Sequence, residues 1–191
     1  MIERVTISGS GGDGAVFLGK LLSWAAMAAG RGYYTTGLPS YGPEIRGGTS
    51  RTEVVISDQP IGSPVLTRME SLIVYNDMSL DKFEAGVAPG GLVILNADVV
   101  TRMPHRGDVT VLPVHCSAEA AALGSPRAMN VVSLGAWAAH KGPVLSRADL
   151  LAGLAHVTKN PKALEINTRA LDRGMALARE LAGKAPALAG R

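Results

Sequence analysis

The chain has 191 residues, of which 47% are hydrophobic and 4% aromatic, and its formal net charge is +3. This length suits one domain with an aliphatic core, and a mild charge without aromatic residues among the basic ones argues against nucleic-acid binding. The single cysteine, Cys116, excludes an internal disulfide and any iron–sulfur cluster ligated by this chain alone. No stretch reaches the roughly 20 apolar residues of a membrane helix and no secretory signal is evident, so the sequence predicts a soluble, cytoplasmic protein.

The N-terminal elements predict the opening of a βαβ unit. Val5–Ser8 is a short β-branched run typical of a buried strand, and Ala15–Ala29 has the broad apolar face of a helix that Gly30 ends. Between them lies the sequence Gly-Ser-Gly-Gly-Asp-Gly of residues 9–14, called the glycine loop below. Strand, loop and helix in this order indicate an α/β fold.

The glycine loop matches the pattern G-x-G-x-x-G only weakly. Its glycines are Gly9, Gly11, Gly12 and Gly14. The acid that a dinucleotide site needs about 20 residues further on is missing, and no Lys-Ser/Thr follows as in a Walker loop. Two interpretations stay open: a tight turn without ligand, or a loop that faces a phosphate or another subunit. Gly12-Asp13-Gly14 is like the start of a thiamine-diphosphate motif, but the chain has no Asn pair to complete it.

The segment between the next two strands carries residues that packing does not explain. Tyr33–Gly37 and Arg51–Ser57 are predicted strands, and because no crossover helix fits between them we expect a hairpin and a mixed sheet. The candidate functional residues of this segment are Tyr41, Glu44, Arg46, Gly47 and Gly48. Glu44 and Arg46 could form a surface ion pair worth at most about 1 kcal/mol. Alternatively they face a ligand or partner, with Arg46 binding a carboxylate or phosphate.

The remainder of the chain alternates strands and helices. The predicted strands are Ser71–Asn76, Leu92–Asn96 and Val109–Val114, with a turn at Pro89–Gly91. The predicted helices are Met78–Ala85, Ser117–Leu123, Ala128–His140, one from the capping box Ser146/Asp149 to about His156, and one from Asn160-Pro161 to about Leu181. Asn76, at a strand end, and Asn130, at a helix start, are weaker candidates for ligand-facing residues.

The sum is an α/β chain: a single Rossmann-like three-layer domain with a mostly parallel, mixed sheet, helices on both faces and C-terminal helices. We expect the domain to span residues 1–182 and residues 183–191 to form a frayed tail. The histidines show no metal-ligand spacing, and Cys116 suits a small buried hydrophobe. No nucleophile elbow or carboxylate pair stands out, so the sequence predicts no catalytic residue and no metal site.

Three motifs in this order resemble the gamma subunit of 2-oxoacid:ferredoxin oxidoreductases. They are the glycine loop, Tyr-Gly-Pro-Glu-Ile-Arg-Gly-Gly of residues 41–48, and Ile-Ser-Asp-Gln-Pro-Ile-Gly-Ser-Pro of residues 56–64. The form of the second and third motifs is more like the 2-oxoglutarate or branched-chain members than the pyruvate members. One residue departs from the family's pattern: Asp13 replaces a usual Gln, and its carboxylate is expected to repel a phosphate.

The resemblance implies a cytoplasmic enzyme complex that oxidatively decarboxylates a 2-oxoacid, with 2-oxoglutarate favoured, to an acyl-coenzyme A and carbon dioxide while it reduces ferredoxin. Thiamine diphosphate, Mg²⁺ and iron–sulfur clusters would lie on other subunits, alpha, beta and in some complexes delta, and coenzyme A would be the co-substrate. This chain would shape the active-site cavity and the coenzyme A path without being catalytic alone.

Two other functions remain alternatives. One is a stand-alone Rossmann-like module that binds a nucleotide or an acyl-coenzyme A without partners. The other is a nicotinamide-dependent oxidoreductase, which the missing ribose-binding acid disfavours. The subunit interpretation further predicts an exposed apolar patch around residues 41–48 that only the assembled complex covers.

Overall fold

The computed structural model describes residues 1–41 and 49–184, and the side chains of Tyr41 and Lys184 fall outside that description. Its strands are β1 Ile2–Ser10, β2 Tyr34–Tyr41, β3 Thr49–Ser57, β4 Met69–Val74, β5 Val87–Asn96 and β6 Thr110–Val114. Its helices are α1 Ala15–Ala28, α2 Asp77–Phe83, α3 Cys116–Ala122, α4 Met129–His140, α5 Arg147–Val157 and α6 Pro161–Lys184. Short 3₁₀ turns occupy Glu84–Gly86 and Pro126–Ala128.

The strands form one mixed sheet in the order β2-β3-β1-β4-β5-β6. Strands β1, β4, β5 and β6 are parallel, whereas β3 runs antiparallel to both β1 and β2. β2 and β3 pair from Tyr34 with Ser57 to Tyr41 with Ser50, which confirms the expected hairpin. Because β1, β4, β5 and β6 are parallel, their carboxyl ends lie at the same end of the sheet, and so do the loops that follow them.

Helices cover both faces of the sheet, as predicted, but unequally. The larger core lies between one face and helices α1, α3, α4, α5 and α6, and includes Ile7, Leu21 and Trp137. The smaller core lies on the other face, where Leu80 and Phe83 of α2 pack on β4 and β5. The side chains alternate between the two cores along β4 and β5, as a sheet buried on both faces requires.

The predicted turn at Pro89–Gly91 is wrong, because β5 passes through these residues. Gly90 has φ +72° and donates its N–H to the carbonyl oxygen of Asp108 at 2.7 Å. The register between β4 and β5 shifts at the same point. A residue without a side chain lets the strand take this irregular step without ending.

Several elements are longer than the sequence predicts, β2 and α6 among them. β2 continues from Gly37 to Tyr41, and Pro39 is tolerated there because β2 is an edge strand whose outer side needs no N–H donor. α6 runs through Gly183 to Lys184, so the predicted tail begins inside a helix, and residues 185–191 lie outside the described residues. The capping box of Ser146 and Asp149 at the start of α5 is confirmed.

Helices α4 and α6 cross at two glycines. A side chain on Gly135 would lie 2.1 Å from the carbonyl oxygen of Leu171, and one on Gly174 would lie 1.9 Å from that of Val132. The backbones of the two helices therefore contact each other directly at this crossing. None of the helices described here is both long and apolar enough to cross a membrane.

Candidate functional site

A cleft of about 470 Å³ lies beside the glycine loop, between the starts of α1, α4 and α6. It is lined by Gly12, Phe17, Ser125, Arg127, Asn130, Asn160, Lys162, Ala163, Ile166 and Asn167. The glycine loop follows β1, so the cleft lies where open α/β sheets place their ligands. We call it the glycine-loop cleft.

The start of α1 is open to an anion. Gly14 is its N-cap with φ +86°, it supplies no capping side chain, and the first turn contains no acid. The first N–H groups of a helix have no intrahelical partner and carry partial positive charge. A ligand oxygen in the cleft could accept from these groups.

Asn130 is the buried polar residue of the cleft. Its side chain is only 6% exposed, and its amide makes no hydrogen bond with the described part of the chain. A side chain on Gly14 would lie 1.9 Å from the amide nitrogen of Asn130. Because Asn130 lines the cleft, its amide is available to form a hydrogen bond with a ligand there.

The charge of the cleft is positive. Arg127 and Lys162 line it, neither makes a salt bridge within the described residues, and the lining contains no Asp or Glu. Phe17 and Ile166 provide an apolar wall. Cations and helix starts beside an apolar wall suit an anion that carries an uncharged arm.

Asp13 does not line this cleft, although the sequence places it in the glycine loop. Its Oδ2 accepts a hydrogen bond from the N–H of Ser10 at 2.6 Å, and its own N–H donates to the carbonyl oxygen of Ser10 at 3.1 Å. Partial burial raises the pKa of the Asp13 carboxyl, while the hydrogen bond from Ser10 acts in the opposite direction. The carboxylate is thus turned back onto the loop's own backbone.

Asn76 has two contacts that position the loop. It is the N-cap of α2, where its Oδ1 accepts from the N–H of Ser79 at 2.8 Å, and its Nδ2 donates to Oγ of Ser10 at 3.0 Å. Asn76 and Asn130 therefore lie at the glycine loop, but only Asn130 lines the cleft.

Most of the other predicted site segment lies outside the described residues. This applies to Glu44, Arg46, Gly47 and Gly48, and to the predicted apolar patch around them. For Tyr41 only the backbone is described, where it ends β2 opposite Ser50. Their role stays a prediction.

Sequence reasoning missed Arg127 and Lys162. Arg127 precedes α4 and Lys162 belongs to the first turn of α6, so the two lie far apart in the chain. They line the same cleft because α4 and α6 pack together. The sequence signal that could have found them is that each adjoins a predicted helix start, at Ala128 and at Asn160-Pro161.

No other described group suggests a cofactor site. Cys116 is fully buried, and burial raises the pKa of its thiol well above the usual range, which makes it inert. His115 bonds Asp98 through Nδ1 at 2.8 Å, and Asp98 also accepts from the N–H of Ala118. Among residues 1–41 and 49–184, no cluster of three or more His, Cys, Asp or Glu could hold a metal ion.

Comparison with known proteins identifies the family of the chain. The model of the family named pyruvate ferredoxin/flavodoxin oxidoreductase matches residues 4–177, well beyond the three sequence motifs. The ketoisovalerate oxidoreductase subunit VorA of Methanothermobacter thermautotrophicus is 36% identical over 93% of this chain, and the chain spans 36% of that relative's length. The 2-oxoglutarate synthase subunit KorC of Methanocaldococcus jannaschii is 33% identical over 95% of this chain and 96% of its own length.

Solved structures show the same fold. The gamma subunit of a keto/oxoacid ferredoxin oxidoreductase from Geobacter sulfurreducens superposes with a TM-score of 0.82 at 29% identity, covering 94% of this chain and 98% of that one. A 2-oxoglutarate:ferredoxin oxidoreductase from Magnetococcus marinus gives 0.81 at 22% identity over 94% of this chain and 31% of that one, and this likeness shows the fold alone. The chain belongs to the pyruvate ferredoxin/flavodoxin oxidoreductase family.

Proposed function

We propose that this chain is the gamma subunit of a 2-oxoacid:ferredoxin oxidoreductase, and that the complex oxidatively decarboxylates a 2-oxoacid with coenzyme A as acyl acceptor and ferredoxin as electron acceptor. The observation that carries the proposal is the end-to-end match to a KorC subunit, which covers 95% of this chain and 96% of that one. The fold of a solved gamma subunit, matched over 98% of its length, supports it.

The chain has a supporting role in this proposal. A cluster or thiamine diphosphate needs ligands that its described residues do not bring together, since the one cysteine is buried and no metal-ligand cluster occurs there. We propose that thiamine diphosphate, Mg²⁺ and iron–sulfur clusters lie on the alpha, beta or delta subunits of the complex. Ferredoxin then receives its electrons from those subunits.

The glycine-loop cleft is the part of the coenzyme A path that this chain supplies. Coenzyme A carries phosphates and a long uncharged arm, and the cleft combines Arg127, Lys162 and the open start of α1 with the apolar wall at Phe17. Asn130 supplies a buried amide to the same ligand. Tyr41, Glu44, Arg46, Gly47 and Gly48 are proposed to face the shared cavity, with Arg46 toward an anionic group.

The proposed substrate is 2-oxoglutarate. The relative that matches this chain end to end is named for 2-oxoglutarate synthase, whereas the VorA relative, named for ketoisovalerate, is a longer chain of which this one spans 36%. Branched-chain 2-oxoacids are the alternative that the test below must separate.

The test is purification of the tagged full chain from its native host under anaerobic conditions. The eluate is assayed for viologen reduction with 2-oxoglutarate, pyruvate or 2-oxoisovalerate, each with and without coenzyme A. Co-purifying larger subunits with coenzyme A-dependent activity on 2-oxoglutarate would support the proposal. A chain that elutes alone, binds a nucleotide or acyl-coenzyme A and reduces no dye would favour the stand-alone binding module.

A further inference from the structure

The contacts of Asp13 close the glycine loop on itself. The carboxylate accepts from the N–H of Ser10 at 2.6 Å while the N–H of Asp13 donates to the Ser10 carbonyl oxygen at 3.1 Å. Residues 10–13 are therefore fixed by two hydrogen bonds between the same pair of residues. A short side chain with an acceptor one carbon from Cβ is the type that closes such a turn.

The Asp13 carboxylate also leaves no room for a side chain at Gly9. A side chain on Gly9 would lie 2.5 Å from Oδ2 of Asp13 and 3.0 Å from Cβ of Tyr75. The Asp13 carboxylate thus occupies the space beside Gly9, on β1, and not the cleft at Gly12. The ring of Tyr75, the residue after β4, faces this space, and its buried hydroxyl group lies 2.8 Å from Oγ of Ser133, within hydrogen-bond distance.

Ser10 is also held from a second element. Nδ2 of Asn76 donates to its Oγ at 3.0 Å, and Asn76 is itself fixed as the N-cap of α2. Asp13, Ser10 and Asn76 form a chain of contacts that joins the glycine loop to the β4–α2 connection. The N–H of Ser10 donates to Asp13, so this N–H is not available to an anion in the cleft.

We propose that Asp13 is a positioning residue with two effects. Its hydrogen bonds with Ser10 hold the glycine loop in the conformation that binds an anion, and its negative charge lowers the affinity of the glycine-loop cleft for that anion. This inference rests on the proposed function, since it concerns the same cleft. The two effects oppose each other: the geometry of the carboxylate favours binding, whereas its charge, next to a helix start, disfavours it. A residue with both effects keeps the affinity of the cleft for the anion moderate. A moderate affinity suits coenzyme A, which must leave the site again as the acyl-coenzyme A product.

Two substitutions separate the effects. Asp13→Asn keeps an acceptor at the same distance and removes the charge, so we expect affinity for an anion to rise about threefold to tenfold, with the gain shrinking as salt screens it. Asp13→Glu keeps the charge but moves the acceptor by one carbon, so we expect affinity to fall below that of the unmodified chain. A residue acting by charge alone would leave Asp13→Glu unchanged.

The matched control is Asp108→Asn. Asp108 forms an ion pair with Arg106 just before β6, at the amino ends of the parallel strands, whereas the glycine loop lies at their carboxyl ends. The substitution therefore removes the same charge far from the loop. It should leave anion affinity unchanged. Thermal unfolding of each variant shows whether the loop changes alone or the fold is lost.

The measurement is titration calorimetry of the full chain with coenzyme A and, separately, with inorganic pyrophosphate at two salt concentrations. Hydrogen exchange of the segment containing the Ser10 amide is measured in parallel, and Asp13→Glu should exchange faster there. The inference is supported if, with both probes, the Asp13→Asn chain binds more tightly than the wild type and the Asp13→Glu chain binds more weakly. The same order with pyrophosphate but no binding of coenzyme A leaves the inference standing, while the assignment of the glycine-loop cleft to the coenzyme A path fails. Equal affinities in all three chains, or no binding of either anion, would overturn it.

Discussion

The amide nitrogen of Asn130 lies 1.9 Å from the position that a side chain on Gly14 would need. Gly14 is therefore glycine for two reasons, since its φ of +86° also belongs to the left-handed region. The pair places a buried amide without a partner in the described chain against the open start of α1. This contact between α4 and the glycine loop is the centre of the proposed coenzyme A path.

Asn130→Ala is expected to weaken coenzyme A binding about fivefold, because one hydrogen bond is worth about 1 kcal/mol. The stability of the fold should change little, since the amide has no partner to lose in the described chain. Asn96→Ala provides the comparison. Asn96 is 1% exposed against 6% for Asn130, and it donates to Oγ of Ser117 at 2.8 Å, so its loss should lower stability and not directly affect binding. Calorimetry and denaturant unfolding measure the two quantities, and the opposite pattern would contradict the assignment of Asn130.

Gly174→Ala is expected to destabilise the chain by about 3 kcal/mol, at the upper end of overpacking costs. The new methyl group would meet the backbone of Val132, which cannot rotate away as a side chain can. Gly183→Ala, in the same helix with open space around it, should change stability by less than about 1 kcal/mol. Urea unfolding of both variants measures the difference, and equal effects would mean that the helices do not cross as described.

The ion pair of Glu119 with Arg173 should make stability depend on pH. Its hydrogen bond from Arg173 lowers the pKa of the Glu119 carboxyl in the folded chain, so the stabilisation is present above the unfolded pKa of about 4.3 and is lost as pH falls through the folded value. Glu119→Gln should cost about 0.5 to 1 kcal/mol at pH 7, allowing for solvent screening. The difference from wild type should vanish at the acid end of a pH series of unfolding measurements. Glu165→Gln, on the exposed side of α6, should show no such difference at any pH.

Lys141 forms an ion pair with the buried carboxylate of Glu3, which lies near the amino end of β1. Glu3 is only 4% exposed, and Nζ of Lys141 donates to its Oε2 at 3.1 Å. Lys141→Met should cost about 1.5 to 3 kcal/mol, because it leaves that carboxylate with one charged partner fewer. Glu3→Gln combined with Lys141→Met should cost less than the single change if the pair interacts, whereas purely additive losses in a double-mutant cycle would contradict the interaction.

Local patterns in the sequence predicted most of the elements, because strands such as Ser71–Asn76 and caps such as Ser146/Asp149 depend on neighbouring residues. The irregular step at Gly90 was missed because a Pro-Gly-Gly run usually indicates a turn, and only the pairing of β5 with β4 shows otherwise. Arg127 and Lys162 were missed for a similar reason. Both residues line one cleft because α4 and α6 cross closely at Gly135 and Gly174, and no local sequence pattern predicts that crossing.

The family, in contrast, could be recognised from the sequence, since the glycine loop and the two motifs after it occur together and in order. The same residues did not reveal the orientation of Asp13. The structure shows that the carboxylate accepts a hydrogen bond from the N–H of Ser10, and its repulsion of a phosphate stays a prediction. That orientation depends on the backbone of the loop, which composition does not specify.

The most direct test of the account is the KM for coenzyme A of the purified complex carrying Arg127→Ala and Lys162→Ala in this chain. Two exposed cations worth up to about 1 kcal/mol each predict a rise of about tenfold, with the KM for the 2-oxoacid unchanged. Arg169→Ala, on the same helix but outside the cleft lining, should leave both constants as they are. An unchanged KM for coenzyme A in the double variant would contradict the account, because the glycine-loop cleft would then not lie on the coenzyme A path.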